Sequence, residues 1–172
     1  VLTVGITACT HEPEPEGMPA SVAGTTSLCD LGTCETATVD RPIDGDTIDV
    51  VTADGTTERV RLRGVDTPET KKPDTPVECM GPEASRLTET LAPAGAQVTL
   101  VQDDAADEQD QYGRLLRHVI VDDNSTSETS LGGELLSRGL ARTTTFPHSI
   151  TDGYATIEDE ARSAGAGIWG EC

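Results

Sequence analysis

β-branched residues and a two-residue alternation dominate the first half of the chain after residue 36. Thr36 to Asp44 and Thr47 to Thr52 read as strands on either side of Asp44-Gly45-Asp46, a turn-like break. Asp54-Gly55 marks a hairpin. In the run that follows, Val60 and Leu62 point one way while Arg59, Arg61 and Arg63 point the other. A long loop from Thr67 to Cys79 carries Pro68, Pro73 and Pro76, and the period then changes. Pro82 and Glu83 open a helix with Ala84, Leu87 and Leu91 on one face. Ala96 to Gln102 and Leu115 to Val121 predict two further strands, separated by an acidic loop from Asp103 to Asp110. Leu131, Leu135 and Leu136 mark a short helix ending at Gly139, and Leu140 to Thr145 a brief strand. Asp152 is placed to cap a last helix whose apolar face is Tyr154, Ile157, Ala161 and Ala164. Five short strands, an interrupting helix and two more helices give an α+β fold, and a five-stranded Greek-key β-barrel of the oligonucleotide-binding (OB) kind suits that order.

Composition narrows the functions open to such a barrel. Of the 172 residues, 31 are acidic and 12 basic, a net charge of −19, so the chain does not bind nucleic acid or anionic lipid by overall charge. Aromatic residues make up 2%, which excludes a stacking platform and leaves the core to Val, Leu, Ile and Ala. No apolar run reaches the roughly 18 residues of a membrane span.

The first nine residues read as the tail of an apolar signal segment, and Ile6-Thr7-Ala8-Cys9 resembles the bacterial lipobox. Lipidation at Cys9 and a membrane anchor are expected from it, with a plain signal remnant and free secretion as the alternative. Residues 10–35 are expected to form a flexible acidic tether; through Asp40 there are six acids and no bases. About 25 such residues reach roughly 28 Å. The domain proper is placed at residues 36–172. With Cys9 set aside, four cysteines allow three pairings. Cys29–Cys34, around a short turn with Gly32, and Cys79–Cys172, pinning the last residue to the body, is the favoured set. Bridges of this kind belong to an oxidising compartment. His11, His118 and His148 are scattered and no Cys or His spacing matches a zinc site, so no soft-metal centre is expected and the histidines are read as structural.

Four motifs carry the chemistry. Ile43-Asp44-Gly45-Asp46-Thr47 comes first, followed by Val60-Arg61-Leu62-Arg63-Gly64-Val65-Asp66-Thr67-Pro68-Glu69-Thr70. Gly81-Pro82-Glu83-Ala84-Ser85 and Asp110-Gln111-Tyr112-Gly113-Arg114 come after them. In this order and spacing the series resembles the staphylococcal nuclease (thermonuclease) family, over roughly residues 38–169 and through Gly165–Trp169. Phosphodiester hydrolysis needs a cation on the phosphoryl oxygen, an aligned water, and positive charge where the transition state gains negative charge. Hard oxygen ligands select Ca²⁺ or Mg²⁺, and few protein ligands with several waters favour Ca²⁺.

The resemblance implies Asp46, Asp66 and the Thr67 carbonyl as Ca²⁺ ligands, with Asp44 behind them orienting waters. It implies Glu69 as general base or water orienter, Arg61 and Arg114 as phosphate clamps, and Tyr112 as a partner for a neighbouring phosphate. Lys71 and Lys72 could touch the nucleic-acid backbone. Implied with these are DNA and RNA as substrates, 3′-phosphate ends, an extracellular or cell-surface setting and a monomer. Taken singly, each Asp is an ordinary solvated turn residue, Tyr112 a packing residue and the two lysines a solvated loop. Arg59 and Arg63 are read as surface residues, and Ile168 and Trp169 as core. Gln111 stands where relatives often have Lys, and Thr143 to Pro147 replaces a stretch with two tyrosines at the type enzyme's nucleotide pocket. The competing readings are a nuclease-like barrel that binds nucleic acid or protein without cutting, and an envelope lipoprotein with a structural role.

Overall fold

The computed structural model describes residues 27–71, 76–121 and 128–172. The lipobox with Cys9, the tether up to residue 26, and Lys72 lie outside the described residues. Three strands come first in a meander: β1 (Cys34–Pro42), β2 (Thr47–Val51) and β3 (Thr57–Leu62). The β2–β3 hairpin turns at Asp54-Gly55, where Gly55 adopts φ 84° and Asp54 Oδ1 accepts from the Thr56 amide at 3.0 Å. After the short β4 (Val65–Asp66) and helix α1 (Gly81–Leu91), β5 (Gln97–Val101) returns antiparallel to β1. Strand β6 (Leu115–Val121) pairs with β5, and its first residues also run parallel to β3: Val60 faces Leu115 and Arg61 faces Leu116. That parallel pairing closes five strands into a barrel. β7 (Thr129–Ser130), α2 (Leu131–Ser137), β8 (Arg142–Thr143) and α3 (Thr151–Ser163) follow, β8 pairing with β4.

The alternation read from the sequence fills the interior. Val39, Ile48, Val50, Val60, Leu62, Val98 and Leu100 are buried in one core with Leu131, Leu135 and Leu136 of α2. Each large aliphatic side chain removed from water this way stabilises the fold by about 1.5–3 kcal/mol before entropy is counted. In α1, Ala84 and Leu87 are buried and Leu91 is half-buried. Thr88 on the same helix is fully buried, and its hydroxyl donates to the Gly45 carbonyl at 2.5 Å. This bond ties the helix to the Asp44–Asp46 turn. Only glycine fits at 45, because a Cβ there would lie 2.7 Å from Thr67 Oγ1 and 2.9 Å from Ala84 Cβ. The sequence thus wedges one acidic turn between the helix and the segment after β4.

Several expectations are corrected. Residues 27–35 are not tether: Leu28 is 4% exposed in the core, a 3₁₀ turn spans Leu28–Leu31, and β1 begins at Cys34. Leu28 supplies the apolar contact that composition, dominated there by polar residues, conceals. Arg63 is buried rather than on the surface, 5% exposed, and its Nη2 donates to the Asp107 carbonyl. Asp152 lies inside the first turn of α3 and does not cap it; Ile150 holds the cap position. Its charge still suits the helix N-terminus. Ala164 is exposed because α3 stops at Ser163. Ile168 is buried as expected, whereas Trp169 is half-buried between the guanidinium groups of Arg142 and Arg162, 5.2 and 4.3 Å from its ring. The disulfides are Cys29–Cys34 and Cys79–Cys172. No helix among the described residues is long and apolar enough to cross a membrane.

Candidate active site

The Asp44–Asp46 turn, the β3–β4 segment and the start of β6 meet at one end of the barrel. Asp46 is buried there. Its Oδ1 accepts from Thr47 Oγ1 at 3.1 Å, and its Oδ2 from the Thr67 amide at 2.8 Å and Thr67 Oγ1 at 2.9 Å. Asp44 Oδ1 accepts from the Asp46 amide at 3.2 Å, so the first carboxylate braces the second. Arg61, the residue of β3 opposite Thr47, reaches across them. Its Nη2 lies 3.0 Å from Asp46 Oδ2 and 2.7 Å from Asp66 Oδ1, while Nη1 donates to the carbonyls of Leu62 and Val65 at 3.2 and 2.7 Å. Glu69 Oε1 accepts the amides of Thr70 and Lys71 at 2.9 and 2.8 Å.

A cavity of about 200 Å³ is lined by Asp44, Asp46, Arg61, Asp66, Thr67, Glu69 and Arg114 together. Arg114 joins from far along the chain because the parallel β3–β6 register sets Leu115 beside Val60. A tight turn with Gly113 at φ 78° orients it, and its Nε donates to Asp110 Oδ2 at 2.6 Å. Burial works against the Asp110 charge, but the bonds from Arg114 and the Tyr112 amide outweigh it and hold that carboxyl below its usual range. Two groups stand apart from the cavity lining. Tyr112 is 76% exposed on the same turn, with the Arg114 guanidinium 5.6 Å from its ring. Lys71 is exposed and its ammonium donates to the Ile43 carbonyl.

Burial, with like charge adding to it, disfavours ionised carboxylates in the cleft. Burial and then the Asp46 charge raise the Asp44 carboxyl above its usual range, against bonds from the Asp46 amide and Thr47 and the Arg61 charge. Asp66 is raised by desolvation in the cleft and by Asp46, Glu78 and Glu69, with Arg61 opposing. An all-oxygen donor set that repels itself suits a hard divalent cation, which would bind lone pairs and neutralise charge at once.

A second group was not legible from spacing. Asp103, His118 and His148, each buried, bring ligand atoms within 4.8 Å of one another, close enough to hold a metal ion. The reading of His118 and His148 as scattered is therefore corrected: the fold gathers them with Asp103 into a candidate metal site. They lie on separate segments of the chain, and only the closed barrel gathers them. Asp103 is not a solvated loop acid: Ser149 Oγ donates to its Oδ1 at 2.7 Å, the Ser149 amide to its Oδ2 at 2.6 Å, and His118 Nε2 lies 3.7 Å away. Imidazole nitrogens favour zinc-like ions, in contrast to the oxygen-lined cleft.

A closed five-stranded barrel with carboxylates and guanidinium groups drawn to one end defines an OB-type domain with an acidic, arginine-bridged cleft. A family profile described as "Staphylococcal nuclease homologue" matches residues 59–171, and the chain belongs to that family. It is 42% identical over 135 residues to "Endonuclease YncB" of Bacillus subtilis (strain 168), covering 77% of this chain and 60% of the relative. It is 41% identical over 135 residues to "SPbeta prophage-derived endonuclease YokF" of the same organism, covering 77% of this chain and 43% of that protein. The "Thermonuclease" of Staphylococcus intermedius is 40% identical over 128 residues, covering 74% of this chain and 70% of its own length. The chain spans about half the length of the two Bacillus relatives.

Proposed function

We propose that this protein hydrolyses phosphodiester bonds in DNA and RNA with a divalent cation, Ca²⁺, held by Asp46, Asp66 and the Thr67 carbonyl. The supporting observation is the single cavity lined by Asp46, Arg61, Asp66, Glu69 and Arg114. When bound, the ion supplies electrophilic stabilisation of a phosphoryl oxygen. Asp44 braces the Asp46 turn and orients water. Glu69 orients the attacking water or takes its proton. Arg61 and Arg114 grip phosphoryl oxygens from two sides, Arg61 exchanging its carboxylate partners for the substrate. Tyr112, Lys71 and Lys72 contact phosphates flanking the cut, and the products carry 3′-phosphate ends. The relatives' names, endonuclease and thermonuclease, support the same reading. We take the working unit as a monomer outside the cytoplasm, consistent with the two disulfides, and held to the membrane by lipid on Cys9 or freely secreted.

Cleavage of single-stranded DNA and of RNA, followed with Ca²⁺ and with chelator, tests the activity. Cleavage is expected only with Ca²⁺, and Arg61→Ala is expected to lower turnover by about 10²–10³-fold. Equal, null activity in both conditions would overturn the reading. The alternative reading is a barrel that binds nucleic acid or protein without cutting. Glu69→Gln separates the two, since it abolishes cutting but leaves a pure binder unchanged. Fatty-acid labelling of the full chain in bacteria tests Cys9.

A further inference from the structure

The Glu69 carboxylate is folded onto the amides of Thr70 and Lys71, so its direction follows the backbone that carries it. Glu78 bonds that backbone twice. The Glu69 amide donates to Glu78 Oε2 at 3.0 Å, and the Glu78 amide donates to the Glu69 carbonyl at 2.9 Å. Glu78 is in turn fixed on its other side. Its carbonyl accepts the Gly81 amide at 3.0 Å, where α1 starts, and the next residue, Cys79, is bonded to Cys172 across 93 positions of sequence. Gly81 closes the packing: a Cβ there would lie 2.6 Å from Thr70 Cγ2 and 3.2 Å from the Glu69 carbonyl.

We propose that Glu78, anchored by the Cys79–Cys172 disulfide, is the positioning residue that sets Glu69 in the cleft. Glu78, Cys79 and Cys172 are all exposed, so water competes for both bonds to Glu69 and they are weak by themselves. The disulfide restricts where this short segment can go, which raises the local concentration of the Glu78 carboxylate at the Glu69 amide. The clamp bonds neither Arg61 nor Arg114, but the Glu78 charge does bear on Asp66. Glu78→Gln removes that charge and keeps the acceptor, so a kcat near wild type in Glu78→Gln assigns the effect to positioning. The inference rests on the role proposed for Glu69, and its test has a readout that does not depend on cleavage.

The test uses the full chain as wild type, Glu78→Ala, Glu78→Gln, and Cys79→Ser combined with Cys172→Ser. Amide exchange at Glu69 is expected to speed by about fivefold to tenfold in Glu78→Ala and in the double serine variant. It stays near wild type in Glu78→Gln, whose amide oxygen still accepts. With Ca²⁺ and a single-stranded oligonucleotide, kcat is expected to fall by a similar factor with KM unchanged. Adding Glu78→Ala to the double serine variant lowers kcat no further, because both changes act through one contact. Should loss of the disulfide prevent folding, Glu78→Ala with the disulfide intact decides the matter. Unchanged Glu69 exchange in Glu78→Ala overturns the proposal, as does a fall in kcat accompanied by an equal rise in KM. If the wild-type chain cleaves nothing, the nuclease reading fails, and the exchange experiment still decides the clamp.

Discussion

Lowering the pH from 7 to 5 should remove about 2 kcal/mol of stability through one buried ring. His118 on β6 has no solvent-exposed side-chain surface. Burial, reinforced by His148 and Arg63 and opposed by Asp103, pushes its imidazole down to about 3 from the ordinary 6.5. The folded protein therefore keeps His118 neutral across this range, while the unfolded chain takes up a proton below pH 6.5. The contribution is fully present above pH 6.5 and is lost as pH falls toward 3. Proton linkage over the interval from 7 to 5 gives about 2 kcal/mol for this group. His148 is lowered by burial and shifts in the same sense. The net charge of −19 acts the other way, since acid relieves self-repulsion. A comparison with His118→Gln cancels that background. Urea unfolding in chelator at pH 7 and pH 5 can be followed by the fluorescence of Trp169, the single tryptophan. Wild type should lose about 2 kcal/mol more than His118→Gln over that interval. A difference between the two that does not change with pH would refute the claim that burial holds His118 neutral.

Three further outcomes are expected. Leu28→Ala should cost about 2–4 kcal/mol in urea unfolding, and a loss below about 0.5 kcal/mol would mean that residues 27–35 do not pack on the barrel. Gly64→Ala should destabilise more than Gly55→Ala in a thermal melt. Both have positive φ, 80° and 84°, but a Cβ at 64 would overlap the His148 ring whereas one at 55 meets nothing within 4 Å. The backbone penalty alone is about 1–2 kcal/mol, and equal melting losses would contradict the overlap. Asp46→Asn should raise the Ca²⁺ concentration for half-maximal cleavage by tenfold or more, and an unchanged titration would remove Asp46 from the cation site.

Periodicity and turn chemistry are local, and the sequence determined what depends on them. The alternation around Val60 and Leu62, the Asp54-Gly55 hairpin, the Ala84-Leu87 face and the run Leu115–Val121 each specify an element within a few residues of where it lies. The four motifs also named the cleft residues, because turn, strand end and loop composition travel with the chemistry. Convergence was decided elsewhere. Arg114 reaches the Arg61 cavity because β6 runs parallel to β3, a pairing between segments some fifty residues apart that no local pattern encodes. The same closure buries Arg63 and gathers Asp103, His118 and His148 from three segments whose spacing carries no signal. It also draws Leu28 into the core from a stretch that composition assigns to solvent. Side-chain preference is written residue by residue, whereas burial and charge proximity are properties of the surface that distant segments close over, and only the folded barrel supplies that surface.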